Sequence, residues 1–183
     1  MLKMADAPAI ARRRRACKPE KVRALLIGES APAGGTHFYL ANSNLFRGVR
    51  EAFARVYGRG VPDGDAFLLF FQHHGYWLID LADEPVNRLD DQPRRHLVEN
   101  GIRRVSKTIR ASKPAVVVVV KKSIERQART ALALSGHEAD LVALPFPAMG
   151  WQSAFAEGLA RVVRRSRRAE QGNGSDVPEE DRC

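Results

Sequence analysis

The chain is poor in cysteine and has no long apolar run, and both shortages limit what it can be. Its 183 residues include only two cysteines, Cys17 and Cys183. Two thiols cannot supply the four ligands of a structural zinc or an iron–sulfur cluster. No apolar stretch approaches bilayer length, and the first twenty residues lack the apolar centre of a secretory signal. We therefore expect a cytoplasmic protein with no metal, no cofactor and no membrane partner.

Two common phosphate-binding signatures are also missing. Residues 25–35 pass from an apolar run into a loop rich in glycine and proline that carries one carboxylate, Glu29. This loop lacks the Gly-Lys-Ser/Thr ending of a P-loop and the glycine spacing of a dinucleotide site, which disfavours ordinary ATP and NAD binding. Its glycines still allow a ligand to approach the backbone closely, and their amides could face an anion or a polar heterocycle.

Acidic residues are outnumbered by basic ones. The formal net charge is +9, and the sequence pI is about 10.1. A charge of this sign and size points to a polyanionic partner, with nucleic acid as the first choice, although solvated surface charge is the alternative. The excess lies in two clusters: Arg12, Arg13, Arg14, Arg15, Lys18, Lys21 and Arg23; and Arg161, Arg164, Arg165, Arg167 and Arg168.

Apolar segments alternate with segments of helical periodicity, which predicts an α/β fold. We expect a three-layer sandwich whose central four-stranded parallel sheet is flanked by helices, formed by one domain over residues 19–169. Strands are predicted at 21–27, 76–81, 115–120 and 140–144, and helices at 42–57, 65–74, 92–111, 123–135 and 153–168. Residues 1–18 and 170–183 are predicted to be a disordered basic tail and a disordered acidic tail.

Parallel strands joined by right-handed crossovers place their carboxyl ends at one edge of the sheet, so the loops that follow them should share a cleft. Carboxylates, aromatic rings and lysines would meet there, a set that suits a flat unsaturated ring beside a phosphodiester. His37 is expected to be a loop or surface group. The contributing residues are Glu29, Ser30, Pro32, Phe38 and Tyr39; Asp80, Asp83, Glu84 and Asn87; Lys121, Lys122 and Ser123; and Pro145, Phe146, Pro147, Met149 and Trp151.

Three of these segments together resemble the uracil-DNA glycosylase superfamily. They are Gly28-Glu29-Ser30-Ala31-Pro32 with a following aromatic pair, Tyr76-Trp77-Leu78-Ile79-Asp80-Leu81, and Leu144-Pro145-Phe146-Pro147 before a helix. The resemblance covers roughly residues 21–165. It implies a protein that flips a uracil or another deaminated or modified base out of DNA and hydrolyses its N-glycosidic bond in base-excision repair.

The resemblance also assigns roles to individual residues. Glu29 matches the carboxylate that orients or activates water, and Asp80 takes the place of the asparagine that reads the base edge. Phe38 is the nearest match to the ring that stacks on the base, with Tyr39 as the alternative. The remaining expected substrate contacts are Gly28, Ser30, Pro32, Lys121, Pro145 and Phe146, of which the Ser30 amide or the Lys121 ammonium could stabilise the departing base.

The chain departs from the family pattern at three points. Pro32 falls one place later than the family's proline. The His-Pro-Ser of the second motif is replaced by Leu144-Pro145-Phe146, so the histidine that stabilises the departing base is absent. Asp80 in place of asparagine leaves two possibilities: the carboxyl group is held neutral, or it is ionised and favours a base that presents hydrogen-bond donors.

Two other functions remain open. A glycosylase-like fold could bind single-stranded or damaged DNA without cutting it, which fits the missing histidine. A hydrolase of free nucleosides could use the same cleft, but it would leave the arginine clusters unexplained.

Overall fold

The predicted three-layer α/β architecture is confirmed. The computed structural model describes residues 6–172. Its four strands form one parallel sheet in the order β2-β1-β3-β4. They are β1 Ala24–Gly28, β2 Tyr76–Asp80, β3 Val116–Val119 and β4 Asp140–Ala143. The helices are α1 Asp6–Ala16, α2 Asn44–Tyr57, α3 Gly64–His73, α4 Asp91–Asn100, α5 Ile102–Ser112, α6 Glu125–Ser135 and α7 Gln152–Gly172.

The two faces of the sheet bury different side chains. Leu26 and Val118 face an aromatic-rich core that includes residues of α2, α3 and α7. Leu25 and Val117 face an aliphatic core that includes residues of α5 and α6. Because both faces are covered, β1 and β3 are buried along their whole length, as the uninterrupted valine run predicts.

The helix predicted over 92–111 is instead two helices that meet at Gly101. A Cβ at this position would overlap the carbonyl oxygen of Leu81, so only glycine lets the chain pass this close to the residue that follows β2. Periodicity on both sides of the junction is helical, which explains why the sequence pattern did not reveal the break.

The prediction of a disordered N-terminal tail is wrong for residues 6–18, because α1 is packed on the domain. Ile10 and Cys17 are buried. The indole nitrogen of Trp77 donates a hydrogen bond to the carbonyl of Arg14 at 3.0 Å, and Gln72 donates to two carbonyl groups at the end of the helix. The arginine run was interpreted as solvent-exposed charge, because the residues that Arg13 and Arg14 contact lie more than twenty positions away in sequence. Residues 1–5 lie outside the described residues.

The prediction of a disordered tail from residue 170 is wrong for its first three residues. Residues 170–172 belong to α7, which extends beyond the predicted 153–168, and residues 173–183 lie outside the described part of the chain. No helix within residues 6–172 is both long and apolar enough to cross a membrane.

Candidate functional site

A cavity of about 200 Å³ lies at the carboxyl edge of the sheet, where the loops after the four strands come together. Of the residues to which the sequence assigned catalysis or substrate binding, Tyr39 and Pro145 do not line it; nor do seven residues predicted for the wider cleft, which are Asp83, Glu84, Lys122, Ser123, Pro147, Met149 and Trp151. Its walls are formed by Gly28, Glu29, Ser30, Pro32, His37, Phe38, Ser43, Leu45, Leu78, Asp80, Asn87, Val120, Lys121 and Phe146. The sequence therefore located the cleft and most of its lining.

Tyr39 is not available to stack on a ligand. Its ring is fully buried, and its hydroxyl group donates to the carbonyl of Leu78 at 2.8 Å and accepts from the amide of the same residue at 3.0 Å. Burial raises the pKa of this phenol far above its ordinary value. Of the two aromatic residues that follow the glycine loop, Phe38 is thus the one that lines the cavity. Pro145 is half-buried outside the cavity wall.

Glu29 is held between two cations that come from different parts of the chain. Arg94 in α4 donates to Oε1 from Nε at 2.8 Å and from a terminal nitrogen at 2.6 Å, while Lys121 donates to Oε2 at 2.5 Å. Only 11% of the Glu29 side chain is exposed. These contacts fix the orientation of the carboxylate in the cavity wall.

Asp80 is ionised and buried. Its Oδ2 accepts from Arg14 at 2.6 Å and contacts Nε2 of His37 at 3.3 Å. Burial alone would raise the pKa of this carboxyl group. The hydrogen bond from His37 and the charge of Arg14 outweigh that effect and hold the pKa below its ordinary value. Of the two possibilities left by the sequence, the structure thus supports an anionic Asp80.

His37 lies in a loop, as expected, but its side chain is buried in the cavity wall and not on the surface. It is 3% exposed, and its Nδ1 accepts a hydrogen bond from the amide of Tyr39 at 3.2 Å. Since Nδ1 is the acceptor, the neutral ring carries its proton on Nε2 and donates it toward Asp80. No local sequence pattern indicates this role, because the partner carboxylate lies 43 positions away.

Backbone hydrogen bonds join the chain segments that carry Glu29 and Asp80. Gly28 and Asp80 are register partners at the ends of β1 and β2. Beyond them, the amide of Leu81 donates to the carbonyl of Gly28 at 2.9 Å, and the amide of Ala82 donates to the carbonyl of Glu29 at 2.8 Å. A Cβ on Gly28 would collide with Oδ1 of Asp80, so glycine is needed for the carboxylate to lie where it does.

The loop after β4 leaves large apolar side chains in solvent beside the cavity. Phe146 lines the cavity and is 36% exposed, Trp151 is 57% exposed, and Met149 is 95% exposed. Met149 also has a φ of 51°, a left-handed conformation that non-glycine residues adopt only where the loop geometry requires it. Three exposed apolar side chains in one loop, one of which lines the cavity, indicate a binding surface.

Two carboxylates, three cations and one imidazole thus meet at this end of the sheet, which favours a neutral or anionic ligand. Of these groups, sequence reasoning missed Arg14, His37 and Arg94 as contributors.

Within residues 6–172 no three histidine, cysteine or carboxylate side chains are grouped as metal ligands would be. No known protein family model matches the chain, and no curated protein is significantly similar to it in sequence.

Proposed function

We propose that this protein is a DNA glycosylase that takes a uracil or another deaminated or modified base into the cavity and hydrolyses its N-glycosidic bond. The observation that carries the proposal is the placement of Glu29: a carboxylate fixed by two cations in the wall of a small cavity that also contains an aromatic ring. A carboxylate of this kind is what cleavage of a glycosidic bond requires.

The size and lining of the cavity fit a single base. Its volume of about 200 Å³ is below the roughly 300–1,000 Å³ of sites that hold drug-sized ligands. Phe38 and Phe146 supply aromatic surface from two different loops, and Glu29, Asp80 and Lys121 supply charged groups. A nucleotide with its phosphates would need more room and more donors, so a base extruded from a strand is the better match.

Glu29 and Lys121 would divide the chemistry between them. As the bond between the sugar C1′ and the base nitrogen breaks, positive charge develops on the sugar and negative charge on the base. Glu29 stabilises the sugar cation and accepts a proton from the water that adds to C1′. Lys121, or the Ser30 amide, donates a hydrogen bond to the base as it departs as an anion. The proton that Glu29 accepts from water is then released and the base anion is protonated, so that the products are the sugar hydroxyl and the neutral base.

Asp80 and His37 would select the base. Because Oδ2 of Asp80 is already engaged by Arg14 and His37, Oδ1 is the acceptor left for a ring N–H or an amino group. An anionic carboxylate cannot donate a hydrogen bond. Asp80→Asn should therefore shift the relative rates on uracil, hypoxanthine and xanthine substrates toward uracil, by roughly one to two decades in a competition assay.

A non-catalytic protein that binds single-stranded or damaged DNA is the second candidate. The observation that favours it is the residue at the position where the resembling family carries the histidine that stabilises the departing base. Here that position is Leu144, which is 5% exposed and packs in the core. A binding protein would use the same cavity and the same cations without needing a group that assists the departing base.

The decisive experiment is incubation with oligonucleotides that carry one modified base, followed by alkali, because only a glycosylase leaves alkali-labile abasic sites. Glu29→Gln should slow single-turnover excision by about 100-fold or more while DNA affinity stays nearly unchanged. Glu125→Gln is the matched control, since Glu125 is also paired with an arginine but lies on the surface of α6. Equal rates for Glu29→Gln and the parent would remove Glu29 from the mechanism.

Two further outcomes separate the alternatives. Tight binding of the oligonucleotides with no alkali-labile product from any base would favour the binding protein. Release of base from free nucleosides but not from DNA would instead identify a nucleoside hydrolase.

A further inference from the structure

A second groove, separate from the base-sized cavity, runs along α5 beside the edge strand β2. Its volume is about 550 Å³. The groove lining contains no carboxylate among the described residues and several side chains that can donate hydrogen bonds. It consists of Lys18, Trp77, Asn100, Arg103, Arg104, Lys107, Thr108, Ala111 and Ser112.

Arg104 of this groove pairs with Asp83 at 3.0 Å, but two of the other groove cations are not compensated within the described part of the protein. Arg103 and Lys107 are exposed, and neither makes an ion pair or hydrogen bond with another of residues 6–172. They are four positions apart on one helix, where two like charges repel each other and weaken the helix. Such an arrangement is explained by an anionic partner that binds both of them.

Several cations of the other basic regions are paired. Arg55 and Arg164 both contact Glu157, and Arg165 pairs with Asp140. The positive charge of α7 is therefore compensated in part, whereas Arg103 and Lys107 of α5 have no such partner among residues 6–172.

One cation of the groove is already held in place. The ammonium group of Lys18 lies 5.3 Å from the centroid of the Trp77 ring, and the indole nitrogen is tied to the carbonyl of Arg14. A lysine fixed over an aromatic face loses less conformational freedom when it binds an anion than a free lysine does. Arg104 is fixed as well, because it donates to the carbonyls of Asp80 and Leu81 at 2.8 and 2.9 Å.

We propose that this groove binds the sugar–phosphate backbone of single-stranded nucleic acid. Proteins that bind single-stranded nucleic acid commonly combine a positively charged groove with an aromatic residue in its wall. Neutral donors such as Asn100 can contact phosphate oxygens between the cations. The inference rests on the proposed DNA partner but not on base excision. Arg104 links the groove to the strand end that carries Asp80, so both sites belong to one side of β2.

The test measures binding of a labelled oligothymidylate of about 16 nucleotides, which contains no base to excise, at several salt concentrations. The double variant Arg103→Gln/Lys107→Gln should bind more weakly, and its slope of log affinity against log salt should be smaller by about 1.4, or about 0.7 for each lost phosphate contact. The matched control is Arg126→Gln/Arg129→Gln, which removes the same charge from arginines that are paired with Glu99 and Glu125.

Fluorescence gives a second readout, because Trp77 and Trp151 are the two tryptophans of the chain. In a Trp151→Phe background, saturating oligothymidylate should change the emission of Trp77, and the groove double variant should reduce that change. An unchanged salt slope, an equal change in the control variant, or unaltered Trp77 emission would overturn the proposal.

A third arm tests the source of the phosphate. Vesicles of phosphatidylglycerol should bind no more weakly to the groove variant than to the control variant. If the groove variant loses vesicle binding as strongly as it loses oligonucleotide binding, nucleic acid is not the specific occupant. Because no excision takes place in any arm, an inactive glycosylase would not affect these results.

Discussion

The guanidinium group of Arg14 contacts the carboxylate of Asp80 at 2.6 Å and joins residues that are 66 positions apart in the chain. The two side chains are 17% and 4% exposed. This pair couples the N-terminal helix to the candidate site, because Asp80 lies in the cavity wall and Arg14 lies in α1.

Removing Arg14 should therefore destabilise the whole domain. Arg14→Gln removes the cation that contacts the buried Asp80 carboxylate and leaves His37 as its side-chain hydrogen-bond partner, which should cost about 3–5 kcal/mol of unfolding free energy. Urea denaturation measures the loss. Arg165→Gln is the control, because its pair with Asp140 is exposed on both sides and should contribute about 0–1 kcal/mol. Combining Arg14→Gln with Asp80→Asn should recover part of the loss, and strictly additive losses would show that the two groups do not interact.

Asp80 should also make the free energy of unfolding depend on pH in acidic solution. Its pKa in the folded protein lies below the ordinary 3.8, so the unfolded chain takes up this proton first as the pH falls. The stabilisation is complete above about pH 4 and is lost as the pH falls through the folded pKa, with a slope of up to about 1.4 kcal/mol per pH unit. In denaturation experiments at a series of pH values, Asp80→Asn should reduce the slope of unfolding free energy against pH in the acid range by that amount. The exposed Asp140→Asn variant should keep the parent slope, and a parental slope in Asp80→Asn would contradict the assignment.

The glycine before Glu29 should not tolerate a methyl group. In Gly28→Ala the new Cβ meets Oδ1 of Asp80, and the carboxylate must move away from Arg14 and His37. We expect a loss of about 1–3 kcal/mol in unfolding free energy, together with weaker base binding. Gly34→Ala lies in the same loop but has no atom within 4 Å of its Cβ, so it should change stability little. Similar behaviour of the two variants would show that the Gly28–Asp80 contact has no energetic weight.

The exposed loop after β4 should matter more for duplex than for single-stranded substrates. Apolar side chains that enter a base step offset part of the cost of unstacking when a base is flipped. Met149→Ala should therefore lower excision from duplex DNA by roughly tenfold and lower excision from a single strand much less. Leu134→Ala, an exposed apolar residue of α6, is the control. Equal losses on both substrates would assign Met149 a different role.

Local patterns in the sequence determined the sheet, its burial and the position of the cleft. The valine run of β3 has no polar face, so it can only lie between two covered layers, and the connection rules for parallel strands then bring Glu29, Asp80 and Lys121 to one edge. These conclusions need only short-range periodicity and chain topology. For the same reason Phe38 and Phe146 could be assigned to the cleft before any contact was known.

Only the tertiary structure decided the charge state and the partners of those residues. Arg14 was assigned to a disordered tail, and His37 was expected to be a loop or surface group, yet both contact the buried Asp80. Arg94 contacts Glu29, although nothing in the sequence of its helix indicates this role. Each of these contacts spans more than forty residues, so no local pattern records it. Whether a buried carboxyl group is neutral or ionised depends on the balance between desolvation and the cations that reach it. That balance exists only once the chain has folded.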